Sequence, residues 1–135
     1  MSYSLFISHS WKYSKVYDRL VEMLRDYSYF TFLNYSVPEK DPLDISGKRY
    51  ESKLREAIEK QMRLCSVVLV IAGKYASYSD SIGMELDVAE EMGKPILAIE
   101  PWGSEATSQR AKEVASEVVR WNSSAIIDAI RRLSK

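Results

Sequence analysis

Cysteine and histidine are almost missing from this chain, which has one of each among its 135 residues, Cys65 and His9. A single cysteine cannot form a disulfide within the chain, and this is typical of proteins from a reducing compartment such as the cytoplasm. Cys65 comes just before an apolar run, so we expect a small buried side chain there rather than a nucleophile. With so few nitrogen and sulfur ligands, no zinc or other metal site is expected.

An excess of charge of one sign is also missing, as are long hydrophobic runs. Lys plus Arg and Asp plus Glu are equal at 19 each, so the formal net charge is zero. This balance does not favour a nucleic acid or an acidic membrane as partner. No run approaches the ~18 apolar residues of a membrane-spanning helix, and the opening MSYSLFISHSWK lacks the features of a signal peptide. We therefore expect a cytoplasmic protein that binds neither nucleic acid nor membrane.

The sequence does contain a strict alternation of predicted strands and helices. Most of the strands are short runs with little polar alternation, which is typical of strands covered on both faces. The predicted strands lie at 4–8, 29–33, 66–73, 95–100 and 117–121, and the predicted helices at about 13–27, 48–63, 79–93, 110–116 and 123–135. The alternation predicts a flavodoxin-like α/β three-layer sandwich, with a five-stranded parallel sheet of order 2-1-3-4-5 and helices on both faces. The length fits one domain, residues 1–135.

The helix predicted at 79–93 carries one acidic residue in an unexpected position. At about 100° per residue, Glu85 falls inside the apolar arc that Ile82 and Leu86 define, whereas the other acidic residues of the helix after Ile82 fall opposite. In a flavodoxin-like fold this helix begins at the carboxyl edge of the sheet, where ligands bind. Glu85 can therefore face a ligand. The alternative interpretation is a carboxylate that caps a neighbouring loop or pairs with Lys or Arg.

Three segments should meet at the same cleft, namely 8–11, 73–81 and part of the long loop at 34–47. The candidate ligand-binding residues that they contribute are Ser8, His9, Ser10, Trp11, Asn34 and Tyr78. The histidine could act as a base if a partner acid and a nucleophile were near, or it could be a polar loop residue. The aromatic rings could stack on a base or a nicotinamide, or pack against the rim of the cleft.

The signatures of several nucleotide-binding folds are missing. There is neither a G-x-x-x-x-G-K-[ST] loop nor a G-x-G-x-x-G turn. A phospho-receiver domain would carry an acidic pair after the first strand and an aspartate after the third, where this chain reads ISHS and IAGK. A flavodoxin would have a phosphate loop rich in Ser, Thr and Gly, whereas SHSWKYS contains no glycine.

Two longer segments resemble a known family. SLFISHSWKYSKVYDRLVEML is similar to the opening of a TIR domain. CSVVLVIAGKYASYSDSIGMELDVAEEMGKPILAI resembles its third strand, the helix with the W-x-x-x-E-like glutamate, and the fourth strand. In NYSVPEKDPL and IEPWGSE the chain further resembles the TIR-like proteins of the Thoeris ThsB family.

The resemblance implies an enzyme of bacterial antiphage defence, of the NAD glycohydrolase or ADP-ribosyl cyclase type. Such an enzyme cleaves NAD between nicotinamide and ribose and makes an ADP-ribose-derived signalling nucleotide, which activates a separate effector protein. NAD is the substrate, and no cofactor is implied. The loop at 34–47 corresponds to a family loop that often mediates assembly, so self-association through TIR–TIR contacts is expected.

The resemblance also assigns roles to residues of this chain. Glu85 corresponds to the catalytic glutamate, which stabilises an oxocarbenium-like transition state. Ser8, His9 and Ser10 correspond to the loop that lines the pocket. The sequence departs from the family where many TIR domains have a tryptophan shortly before the glutamate, because residues 81–84 read SIGM. Tyr78 could supply an aromatic ring instead.

Two other interpretations remain open. The chain could be a non-catalytic TIR scaffold that acts through self-association or protein docking. It could also resemble a nucleoside deoxyribosyltransferase, which attacks an N-glycosidic bond with a nucleophilic glutamate. A covalent intermediate, visible by intact-mass trapping, would identify that last class.

Overall fold

A five-stranded parallel sheet with helices on both faces forms the core of the protein. The structure is a computed structural model that describes residues 2–8, 14–36, 48–72, 80–100 and 109–134. The strands are β1 (Ser2–Ser8), β2 (Thr31–Asn34), β3 (Val67–Ile71), β4 (Ile96–Glu100) and β5 (Glu117–Arg120). The helices are α1 (Ser14–Asp26), α2 (Lys48–Met62), α3 (Asp80–Glu91), α4 (Gln109–Val114) and α5 (Ser123–Leu133). The strand order is β2-β1-β3-β4-β5, which confirms the predicted flavodoxin-like arrangement.

The two faces of the sheet are each covered by a different set of helices. Alternate residues of a strand point to opposite faces, so Leu5 and Ile7 of β1 pack against α1 and α5, whereas Phe6 packs on the side of α2, α3 and α4. We call the side of α2, α3 and α4 the front face and the side of α1 and α5 the back face. Because both faces are covered, β3 and β4 are almost fully buried, as their continuous apolar sequences predict.

The second strand begins later than the sequence predicts. The run at 29–33 looks like one extended segment, but Tyr29 has a φ of 59° and its side chain is fully exposed. A left-handed residue interrupts extended backbone, so the chain turns at Tyr29 and β2 starts at Thr31. The predicted start of this strand was therefore wrong by two residues.

The end of α3 follows the predicted glycine stop signal. Gly93 has a φ of 68°, and its N–H donates to the carbonyl of Glu90 at 3.1 Å, while the N–H of Lys94 donates to the carbonyl of Ala89 at 3.0 Å. These two bonds form a Schellman motif, which satisfies the last carbonyls of the helix. The chain then enters β4, so the direction of α3 is fixed at its C-terminus.

Cys65 is a buried structural residue, as the sequence predicts. It is 4% exposed and packs in the core of the front face. Burial raises the pKa of its thiol to about 11, and the charge of Lys94 opposes this shift without cancelling it. The thiol is therefore protonated and weakly reactive near neutral pH. Across the described residues, no helix is long and apolar enough to cross a membrane.

Candidate functional site

A buried glutamate and a buried serine meet at the carboxyl edge of the sheet. The hydroxyl of Ser8 donates a hydrogen bond to Oε1 of Glu85 at 2.8 Å. Ser8 is fully buried and Glu85 is 5% exposed. Within the described ranges these are the two buried polar side chains, and every other buried side chain there is apolar.

The local folding of two elements explains why these side chains meet. Ser8 is the last residue of β1 and follows Phe6 on the front face, because residues two apart point the same way. Glu85 lies in the second turn of α3, between Ile82 and Leu86, which pack in the core of the front face. The apolar arc of α3 thus carries Glu85 inward, as its helical position predicts.

The pair occupies the place where a doubly wound sheet binds ligands. Ser8 pairs with Val70 of β3, so the pair sits where β1 and β3 end side by side. The chain leaves β1 toward β2 on one side and β3 continues toward β4 on the other, so the strand order reverses between these two strands. Ligands of open α/β sheets bind outside the carboxyl ends of the strands at this switch point.

Burial sets the charge state of Glu85. Loss of hydration raises the pKa of its carboxyl group from 4.5 to about 8, and the hydrogen bond from Ser8 acts in the opposite direction with a smaller effect. The carboxyl group is therefore mostly protonated at neutral pH in the free protein. A cationic ligand placed beside it would lower the pKa and favour the carboxylate.

The other acidic residues of α3 after Ile82 are held on its outer surface by arginines of neighbouring helices. Arg110 of α4 contacts the carboxylates of Asp87 and Glu90, each at 2.6 Å. Arg55 of α2 forms an ion pair with Glu91. Within the described ranges no Lys or Arg forms an ion pair with Glu85, so the alternative of a structural ion pair has no support there.

Asn34 lies away from the buried pair. It is the register partner of Leu5, so its side chain belongs to the back face, opposite to Glu85. Its Nδ2 donates to the hydroxyl of Tyr17 at 2.7 Å, and its Oδ1 accepts from the backbone N–H and the hydroxyl of Ser36. Asn34 therefore shapes the chain after β2, and the structure does not bring it together with Glu85.

Four of the predicted ligand-binding residues lie outside the described residues, and their roles stay predictions: His9, Ser10, Trp11 and Tyr78. Of the predicted set, the structure brings together Ser8 and Glu85. Their direct hydrogen bond was not predicted, although period-2 alternation already places Ser8 on the face of Phe6. No group of His, Cys, Asp or Glu in the described segments is arranged to hold a metal ion.

The fold and the buried pair define a flavodoxin-like α/β domain with a carboxyl group at its switch point. Residues 6–106, which are more than half of the chain, match the family model of the TIR-like domain of Thoeris protein ThsB. The chain belongs to this TIR-like family, and membership implies a role in antiphage defence. A comparison with curated proteins found no match.

Proposed function

We propose that the protein is an NAD-cleaving enzyme of antiphage defence that makes an ADP-ribose-derived signalling nucleotide. The observation that carries this proposal is the buried carboxyl group of Glu85 at the switch point, held by Ser8. A buried ionisable group without an ion-pair partner destabilises the fold when it ionises, and such groups are concentrated at functional sites. The resemblance to catalytic TIR domains indicates NAD as the substrate. Membership of the family implies the role in antiphage defence.

Cleavage of NAD between nicotinamide and ribose requires a group that stabilises positive charge. The bond between C1′ of the ribose and N1 of nicotinamide breaks, and its electron pair leaves with nicotinamide, which departs as a neutral molecule. Positive charge remains on the ribosyl group. The carboxylate of Glu85, in a site that excludes water, would stabilise this charge more strongly than an exposed carboxylate could.

Substrate binding itself would ionise Glu85. The nicotinamide ring of NAD is cationic, and a cation beside the carboxyl group lowers its pKa from about 8. The hydroxyl of Ser8 donates to Oε1, so it favours the carboxylate and holds it in one orientation. The site would thus be neutral when empty and anionic when the substrate is bound.

The fate of the ribosyl group decides the product. Capture by water releases ADP-ribose and one proton. Capture by a hydroxyl or amine, either within ADP-ribose or on an acceptor molecule, releases one proton and gives a cyclic or conjugated nucleotide. We propose that such a product acts on a separate effector protein, and that the enzyme works as an assembly of TIR-like domains.

Incubation of the purified chain with NAD tests the proposal. Nicotinamide release is followed by chromatography, and the products are identified by mass, both for purified protein at high concentration and for lysate from infected cells. Glu85→Gln keeps the size of the side chain but removes the charge, so it should abolish nicotinamide release. Glu113→Gln is the matched control, because Glu113 is exposed on α4 and should be dispensable.

The product mass separates signal synthesis from plain hydrolysis. If neither the purified chain nor the lysate cleaves NAD, and Glu85→Gln still protects cells against phage, the enzyme proposal is wrong. The scaffold interpretation would then account for the defence role.

A further inference from the structure

A second group of charged residues lies at the carboxyl edge of the sheet, outside the site described above. Glu100 is the last residue of β4. Its carboxylate forms an ion pair with Nζ of Lys112 in α4, at 3.3 Å. Arg120 ends β5 and is the register partner of Glu100. We call Glu100, Lys112 and Arg120 the β4–β5 cluster.

The β4–β5 cluster faces the same side of the sheet as Glu85. Ala98 packs in the front core, so Glu100, two residues later, also points to the front. Register partners in a parallel pair share a face, so Arg120 points to the front as well. The cluster and the buried pair therefore lie at the same edge and on the same face of the sheet.

The distance between the two groups suits one extended ligand. Ser8 aligns with Val70 and Val70 with Ala98, so Glu100 is two strands across and two residues further along than Ser8. With strands about 4.8 Å apart and a rise of about 3.3 Å per residue, the two Cα atoms are roughly 12 Å apart. A dinucleotide whose nicotinamide ribose lies at Glu85 is long enough to reach the cluster.

The charges of the cluster suit a phosphorylated ribose. The side chains of Lys112 and Glu100 are 37% and 27% exposed, and Arg120 is exposed, so a ligand can reach all three. Within the described ranges Arg120 forms no ion pair, so the cluster holds two cations against one carboxylate. A guanidinium matches the geometry of phosphate oxygens, and an ammonium binds them as a point charge.

We infer that the β4–β5 cluster is the subsite for the half of the dinucleotide that is distant from nicotinamide. Arg120 and Lys112 bind the phosphates of that half, and Glu100 holds Lys112 in place through their ion pair. This inference rests on the proposed function, because the dinucleotide sets the class of ligand. The ion pair between Glu100 and Lys112 also attaches α4 to β4, so Arg120 is the better residue to test.

Calorimetric titration of the full chain with ADP-ribose and, separately, with nicotinamide riboside tests the inference at low salt. ADP-ribose contains the pyrophosphate and the second ribose, whereas nicotinamide riboside contains neither. Arg120→Gln should weaken ADP-ribose binding about tenfold or more, because a charge-assisted bond is lost. It should leave nicotinamide riboside binding unchanged. The thermal midpoint should stay that of the wild type, because Arg120 makes no ion pair with any described residue.

Arg132→Gln is the matched control, since it removes the same charge from the back face, where Arg132 pairs with Glu117 at 2.7 Å. ADP-ribose affinity should not change in this variant. The inference is overturned if Arg120→Gln binds ADP-ribose as the wild type does, if Arg132→Gln weakens binding equally, or if the wild type does not bind ADP-ribose at millimolar concentration. NAD cleavage is scored separately. NAD cleavage at the wild-type rate in Arg120→Gln would contradict the inferred subsite, but it would not contradict the proposed function.

Discussion

Replacement of Glu85 by glutamine should make the protein more stable, and by an amount that grows with pH. The carboxyl group has a pKa of about 8 in the folded protein against an ordinary value of 4.5. The folded state therefore holds this proton more tightly than the unfolded state does. The stabilisation that comes from this tighter proton binding is fully present below the ordinary pKa of 4.5. It is lost as the pH rises toward the pKa of about 8 in the folded protein. Glutamine cannot ionise, so the variant avoids this loss.

The size of the effect follows from the two pKa values. Each pH unit between 4.5 and about 8 costs the wild type about 1.4 kcal/mol of unfolding free energy. Glu85→Gln should therefore be more stable by about 3 kcal/mol at pH 7, and by less than about 1 kcal/mol at pH 5. Glutamine can still accept the hydrogen bond from Ser8, so little else changes.

Urea unfolding of both proteins at about pH 5 and about pH 7 measures the difference. Glu113→Gln, on the exposed side of α4, is the control that corrects for the loss of one surface carboxylate. An advantage of Glu85→Gln that is equal at the two pH values would refute the reasoning. So would a variant that is less stable than the wild type at pH 7.

Three further substitutions test other parts of the account. Ser8→Ala removes the donor to Glu85, so the pKa of Glu85, followed by carboxyl NMR, should rise further, and unfolding free energy should fall by about 1–2 kcal/mol. Gly93→Ala should lower the thermal midpoint, because a non-glycine residue at a φ of 68° costs about 1 kcal/mol, although space for a Cβ exists. Asn122→Ala removes the side chain that accepts from the N–H of Ala125, so urea unfolding should show a loss of about 1 kcal/mol.

Each of these predictions has a result that would contradict it. An unchanged pKa of Glu85 in Ser8→Ala would mean that the hydrogen bond does not contribute to its ionisation. A Gly93→Ala variant as stable as the wild type would mean that the chain leaves α3 without strain. Ser124→Ala is the control for Asn122→Ala, because Ser124 is exposed in the first turn of α5. Equal free energies of unfolding for these two variants would contradict the role of Asn122 as the cap.

Local patterns predicted the sheet and the inward glutamate correctly. The strands β3 and β4 are continuous apolar runs because helices cover both of their faces, and this pattern needs no knowledge of distant residues. The inward direction of Glu85 follows from helical periodicity alone, since its neighbours Ile82 and Leu86 define the buried side of α3. The resemblance to the ThsB family agrees with the matched family model.

Features that depend on tertiary register could not be read from the sequence. Ser8 and Glu85 are 77 residues apart, and only the packing of α3 on β1 brings their oxygens within 2.8 Å. Asn34 is a polar residue of a type common in ligand-binding sites, but its register with Leu5 places it on the back face. The turn at Tyr29 needs a left-handed backbone, which a run of aromatic and β-branched residues does not signal.

The pH dependence of NAD cleavage is the measurement that tests the central claim most directly. The value of kcat/KM reports the ionisation of groups in the free enzyme, and Glu85 there has a pKa of about 8. If the carboxylate of Glu85 carries the reaction, kcat/KM should rise about tenfold per pH unit and level off above about pH 8. No cleavage should remain in Glu85→Gln. A rate that is independent of pH from about pH 6 to pH 9, or cleavage that survives in Glu85→Gln, would contradict the account.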